Sequence, residues 1–262
     1  MKRSTKRRLR DGALYALFLG AVATLILVAD WSKIRHNFFD GGVLKAIWPE
    51  LVTEAAKNTV VYTAEAFIGG LALAFVLALM KLSPLKPYRW AATAYIEFFR
   101  GLPALIVIIL FALGIPLAFN GKALPGGAIG AAVIALIAVS GAYMAETLRA
   151  GIQAVPRGQT EAAHSLGMSG TWTMLSVVLP QAVRIVIPPL TNEIVLLLKD
   201  TSLISVAGVG IGQAELTNFA SDNVVINSSP TPLIAAAVCY LIITLPLTQL
   251  VAYLERRSQK AR

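Results

Sequence analysis

The sequence predicts an all-α fold, a polytopic membrane bundle of about six transmembrane helices with a broken fifth span. Three observations lead there. Of 262 residues, 56% are hydrophobic and 14% charged, where a soluble domain has about a quarter charged, and the mean hydropathy is +0.70. Apolar runs of about 20 residues recur, long enough to cross a hydrocarbon core of about 30 Å. Lys and Arg gather in alternate loops between those runs, as loops kept in the cytoplasm do.

The runs fall at about 13–29, 58–80, 102–119, 128–148, 184–211 and 232–253. The first follows a basic tail, a pattern shared with secretory signals. No small-x-small cleavage site precedes the acidic 30–56 segment, so this helix is expected to be retained. The second run holds Glu65, and the fourth ends in Tyr143 and Glu146. The fifth, from Val183 to Gly212, would be about 45 Å long as one helix, more than the bilayer core. It therefore needs a strong tilt or a break, and Pro188-Pro189 and Lys199-Asp200-Thr201-Ser202 are the expected break points. The sixth contains Cys239, the single cysteine, expected to be a buried inert thiol with no intrachain disulfide open to it.

Orientation follows from the basic residues. Seventeen of them lie in the N-tail, the 81–101 and 149–184 loops and the C-tail. The other side holds Lys33, Arg35, Lys45, Lys57 and Lys122. Both termini and the 149–184 loop are thus expected in the cytoplasm. The net charge of +9 does not imply nucleic-acid binding, because it flanks apolar spans, where attraction to anionic headgroups accounts for it.

The loop after the fourth run is the most specific stretch. Glu161-Ala162-Ala163 is followed by Leu166-Gly167 and then by Leu179-Pro180. Small side chains at Ala162 and Ala163 permit a close approach by another surface. Glu161 near a helix start would be favoured by the helix dipole. Gly167 suits a left-handed residue that ends the helix, and Pro180 suits the first turn of the next. This resembles the EAA loop of the permease subunits of bacterial ATP-binding-cassette importers. Glu97-Phe98-Phe99-Arg100-Gly101-Leu102-Pro103, Ala142-Tyr143-Met144-Ala145-Glu146-Thr147-Leu148-Arg149 and Leu198-Lys199-Asp200-Thr201-Ser202-Leu203 are similar to segments of the polar-amino-acid branch of that family.

The resemblance covers about residues 51–256, as the permease domain. Residues 1–50 lie outside it, as a basic tail, an added first helix and a short external segment on a five-helix core; 257–262 form a basic tail. It implies an importer of amino acids in a bacterial cell membrane. The expected partners are two ATPase subunits, a second permease chain that is identical or related, and an extracytoplasmic binding protein. The ATPase-coupling residues carried over are Glu161, Ala162, Ala163, Leu166 and Gly167. No G-x-x-x-x-G-K-[ST] loop is present, and Gly208-Val209-Gly210-Ile211-Gly212 lacks its lysine. ATP and Mg are therefore expected on the partner ATPase, with no cofactor, metal or catalytic residue on this chain.

Charged groups at bilayer depth are costly and usually functional. Candidates for the substrate path are Glu193, Asn192, Tyr143, Glu65 and Asp200. An amino acid brings an ammonium and a carboxylate, so Glu193 is a candidate acceptor and Asn192 a candidate donor. Glu193 in a helix–helix hydrogen bond is the rival reading. The favoured reading of Lys199 and Asp200 is structural, as pairing with each other's neighbours to stabilise the break. Local pairs are expected between Glu146 and Arg149 and between Glu97 and Arg100. His164 and His36 fall on opposite sides of the membrane, which disfavours a metal site. The alternative function is a self-contained carrier or channel, but no internal inverted repeat is visible and such a protein has no need of the EAA-like loop.

Overall fold

The computed structural model describes residues 3–210 and 212–260, and within them every regular element is helical. In chain order the α-helices are α1 (Arg3–Val28), α2 (Trp31–Phe38), α3 (Gly41–Glu50), α4 (Lys57–Leu82), α5 (Lys86–Gly101), α6 (Ala104–Ile109), α7 (Ile115–Ala118), α8 (Gly127–Gln153), α9 (Arg157–Ser165), α10 (Gly170–Thr173), α11 (Leu179–Asp200), α12 (Leu216–Asn227) and α13 (Thr231–Lys260). Short π-helical turns join α3 to α4, α6 to α7 and α10 to α11, and a 3-10 helix, Thr201–Ala207, extends α11.

Among the described residues five helical stretches are long and apolar enough to span: Arg10–Val28, Trp31–Leu82, Gly127–Gln153, Gly170–Ala207 and Thr231–Arg257. The expected third span is a bent pair. Helices α5 and α6 meet at 104°, because Pro103 holds Leu102 in extended backbone, φ −102° and ψ 139°. Counted together, α5 to α7 make the sixth span.

The interruption of the fifth span falls at one of the two expected places. Pro188 and Pro189 both lie inside α11, which continues through them; each ring removes one N–H and leaves one carbonyl of the preceding turn unpaired. The helix changes at Thr201, where it tightens to 3-10 geometry and stops at Gly208, φ +79°.

Helix α8 is the axis of the bundle. Most of its apolar window is buried, in contrast to α1, whose window has no buried residue. The chemistry is one of small residues. A Cβ added at Gly70 on α4 would come within 2.7 Å of Met144 Cε, and one at Gly141 on α8 within 2.8 Å of Leu73 Cδ2. Without large side chains at those points the two backbones approach closely, which is how apolar helices gain packing energy where lipid is as apolar as protein. Val107, Ile108, Leu136, Leu197 and Ile204 form one buried cluster around this axis; Leu77, Ile96, Met144 and Val186 form the next.

The segment before α4 is docked on the bundle. Ile47, Leu51 and Ala55 pack with Leu216, Phe219, Ala236 and Cys239, so the cysteine is buried. The Asn37 carbonyl accepts from Ser229 Oγ at 2.8 Å and Thr231 Oγ1 at 3.0 Å. Glu215 is fully buried at the head of α12. Its carboxylate accepts from the Thr217 and Asn218 N–H groups at 2.6 and 2.7 Å and from Tyr240 O–H at 2.9 Å. One buried acid thereby caps α12 and ties it to α13.

Candidate functional site

A cavity of about 330 Å³ lies where the α5–α6 bend, α8 and α11 meet. Leu102 and Pro103 form one wall, Ser140 and Tyr143 of α8 a second, and Glu193, Leu197 and Asp200 of α11 a third. Glu193 and Asp200 are seven residues apart, two helical turns, so they fall on one stripe of α11. The lining has two carboxylates and no Lys, Arg or His. Arg100 stands just behind it: its guanidinium carbon is 5.6 Å from the centre of the Tyr143 ring, within cation–π range. Tyr143 O–H donates to the Arg100 carbonyl at 3.4 Å. Such a site suits a small ligand with an ammonium group near the two acids and a hydrogen-bonding group near Tyr143.

Of the five residues expected on this path, the structure brings three together: Glu193, Tyr143 and Asp200. Asn192 and Glu65 do not line the cavity and are exposed. Asn192 is one residue, about 100°, around the helix from Glu193, and Glu65 lies on an outer face of α4. Ser140, Leu102 and Pro103 line the cavity without having been singled out for it. The kink-forming Leu-Pro pair was the available signal.

Of the ion pairings expected, two are not formed and one is. Among the described residues Lys199 and Asp200 form none; Lys199 is exposed while Asp200 turns to the cavity. Glu97 and Arg100 form none either, because Arg100 sits over Tyr143. Glu146 and Arg149 do pair, with Arg149 Nε 3.0 Å from Glu146 Oε2, and Lys81 of α4 joins them at 3.0 Å from the same oxygen. One carboxylate thus serves two cations, and all three side chains are at most about a quarter exposed.

The hairpin of α9 and α10 is the second feature. Pro156 starts α9 and Gly167 ends it with φ +79°. Met168 N–H donates to the Ala163 carbonyl at 3.1 Å and Gly167 N–H to the His164 carbonyl at 2.9 Å, the Schellman pattern. A Cβ at Gly167 would meet nothing within 4 Å, so backbone conformation alone selects glycine there. Ala163 is buried against the bundle; Glu161 and Ala162 are exposed. Glu161 is not in the first turn of α9 but at its fifth position, beyond the reach of the dipole. Leu166 is 83% exposed and Trp172 61%, so the connecting hairpin presents two large apolar side chains that nothing in the chain covers. His164 Nδ1 lies 3.0 Å from the Met168 carbonyl, and no group of His, Cys, Asp and Glu among the described residues could hold a metal.

The comparisons agree with this geometry. A family profile described as "Binding-protein-dependent transport system inner membrane component" matches residues 70–260. The chain is 39% identical over 206 residues to the probable glutamine ABC transporter permease protein GlnM of Bacillus subtilis, covering 78% of this chain and 91% of that one. It is 36% identical over 240 residues to the arginine transport system permease protein ArgU of Corynebacterium glutamicum, covering 88% and 72%. A solved structure described as an amino acid ABC transporter with histidines is 37% identical, covers 83% of this chain and 98% of its own, and superposes with a TM-score of 0.75. An inward-facing MetNI methionine ABC transporter, 18% identical with a TM-score of 0.60, shares the fold.

Proposed function

The chain belongs to the family of binding-protein-dependent transport system inner membrane components, and from that premise we propose how it works. It is a multi-pass membrane protein and the permease subunit of an amino-acid ABC importer; it is a transport subunit, not an enzyme, and ATP is hydrolysed on a separate chain. A self-contained carrier or channel is not favoured.

The observation that carries the substrate reading is the cavity in which Glu193 and Asp200 converge without a lining cation. Carboxylates at that depth cost several kcal/mol unless they meet protein, water or a ligand. An amino acid's ammonium meets that need, with Tyr143 and Ser140 as hydrogen-bonding partners for the rest of the molecule. The α9–α10 hairpin is the surface that an ATPase subunit contacts, through Glu161, Ala162 and Leu166, with Ala163 fastening it to the bundle and Gly167 closing it. ATP and Mg belong to that partner. Both termini and the hairpin face the cytoplasm, and a binding protein delivers substrate on the other side. Two permease chains, identical or related, enclose the path about a twofold axis. ATP binding biases one of two states of this assembly and the loaded binding protein biases the same equilibrium.

Proteoliposomes holding the chain with its ATPase and binding protein test this directly. Uptake of labelled amino acids should require internal or external ATP on the hairpin side only. Uptake without ATP, or with ion gradients alone, would overturn the reading.

A further inference from the structure

The short helix α2 has no evident part in transport, and its position is unusual. It follows α1 after only two residues, and the Trp31 indole N–H donates to the Ile26 carbonyl at 2.8 Å, at the last turn of α1. No residue of the apolar stretch Arg10–Val28 is buried by the rest of the chain, which leaves its outer face to lipid. Where that stretch ends, the bilayer's polar layer begins, and α2 starts there. The level is set a second time by α13: the Asn37 carbonyl is held by Ser229 and Thr231, and the Asp40 N–H donates to Thr231 Oγ1 at 3.1 Å, at the beginning of another span.

An open cleft of about 610 Å³ occupies this level, lined by Trp31, Ser32, Arg35, His36, Phe39 and Asp40. Its walls are aromatic: Trp31 is 57% and Phe39 63% exposed. The indole of Trp31, apolar with one N–H, is the kind of ring that favours the headgroup zone. Its charges are of both signs. Arg35 forms no ion pair among the described residues, whereas neighbouring Lys33 is bound to Asp30. Asp40 Oδ1 caps α3, accepting from Gly42 and Val43 N–H, and Oδ2 has no hydrogen-bond partner among the described residues. A guanidinium suits a phosphodiester, which it can grip with two parallel hydrogen bonds; a free carboxylate oxygen suits a primary ammonium.

We propose that α2 and the start of α3 form a binding site for an ethanolamine phospholipid of the outer leaflet, with phosphate on Arg35, Ser32 and His36 and ammonium on Asp40. A headgroup without a cation leaves Asp40 facing phosphate, and a trimethylammonium cannot donate a hydrogen bond to it. The occupant is continuous with the lipid that covers α1. The outer-leaflet placement rests on the orientation proposed above.

The test is native mass spectrometry of the complete transporter purified in detergent and offered equal amounts of phosphatidylethanolamine, phosphatidylglycerol and phosphatidylcholine. Phosphatidylethanolamine should be retained about tenfold over each of the others, the weight of one charge-assisted hydrogen bond. Asp40→Asn keeps a good helix cap and should bring retention of the three to near parity. Arg35→Gln should lower retention of all three about tenfold. Equal retention by the parent, or retention unaffected by Arg35→Gln, would overturn the site. Separately, Ser32→Cys should react with a membrane-impermeant maleimide in intact cells. Reaction only in broken cells would overturn the orientation, and with it the leaflet, whatever the retention pattern.

Discussion

Glu193 and Asp200 open into the same cavity from one stripe of α11, two turns apart, with Tyr143 of α8 facing them. Two acids held in one recess without a lining cation define the polarity of what enters it. The pairing also separates the roles of neighbouring residues, because Lys199 and Asn192 point elsewhere.

Glu193→Gln keeps the shape of this wall and removes its charge. The half-saturation concentration for uptake should rise about tenfold, the weight of one hydrogen bond to a charged group, while assembly with the ATPase persists. The same change at Asp200 should act most strongly on amino acids with a second positive charge. Kinetics with labelled arginine and glutamine read both effects, and unchanged half-saturation for both substrates would return Glu193 to helix packing.

The cluster of Lys81, Glu146 and Arg149 ties α4 to α8 at one end of the bundle. Glu146→Gln leaves two cations side by side, whereas Lys81→Met leaves one satisfied pair. The first should lower stability by about 1–2 kcal/mol, less than the loss for a fully buried pair because these side chains are only partly buried, and the second by less than half of that. Thermal unfolding in detergent gives the order; equal losses would mean that Lys81 carries the contact.

Gly167→Val forces a β-branched residue into a left-handed cap, at a cost of about 1–2 kcal/mol. The α9–α10 hairpin should deform and transport-coupled ATP hydrolysis fall, with the melting of the spans little changed. Gly167→Asn should recover most of the activity, since Asn tolerates this backbone region. A valine variant as active as its parent would show that the cap does not shape the contact.

Leu166→Ser removes an apolar side chain that is 83% exposed. Stability of the isolated chain should be unaffected, within about 0.5 kcal/mol, while recovery of the ATPase on co-purification drops. Intact co-purification would place the docking surface elsewhere on the hairpin.

Burial pushes the Glu215 carboxyl above its ordinary value, against the opposing effect of its hydrogen bonds from Thr217, Asn218 and Tyr240. A carboxyl raised in the folded state binds its proton more tightly there than in the unfolded chain. Its contribution to stability is therefore full at low pH and is lost as pH rises through the raised value. Glu215→Gln keeps an acceptor for the α12 cap and removes the titration. Melting temperature followed from acid to neutral pH should fall less steeply in the variant than in the parent, and parallel curves would assign the pH dependence to other groups.

Much of the fold was readable along the chain, because it follows from local rules. Apolar length places the spans, Gly167 closes α9 with a left-handed residue, and Pro180 stands in the first turn of α11. Each of these depends on a residue and its immediate neighbours. The Glu146–Arg149 pair was readable for the same reason, at one helical turn.

What only the tertiary structure decided is which way each helix faces. Successive residues on a helix diverge by about 100°, and in a soluble protein the polar stripe would reveal the rotation. Here lipid-facing and core-facing surfaces are equally apolar, so that signal is missing. Contact between helices at small residues such as Gly70 and Gly141 sets the rotation instead. Hence Glu193 enters the cavity and Asn192 does not, Asp200 leaves Lys199, Arg100 turns to Tyr143 rather than Glu97, and Lys81 reaches Glu146 across 65 residues.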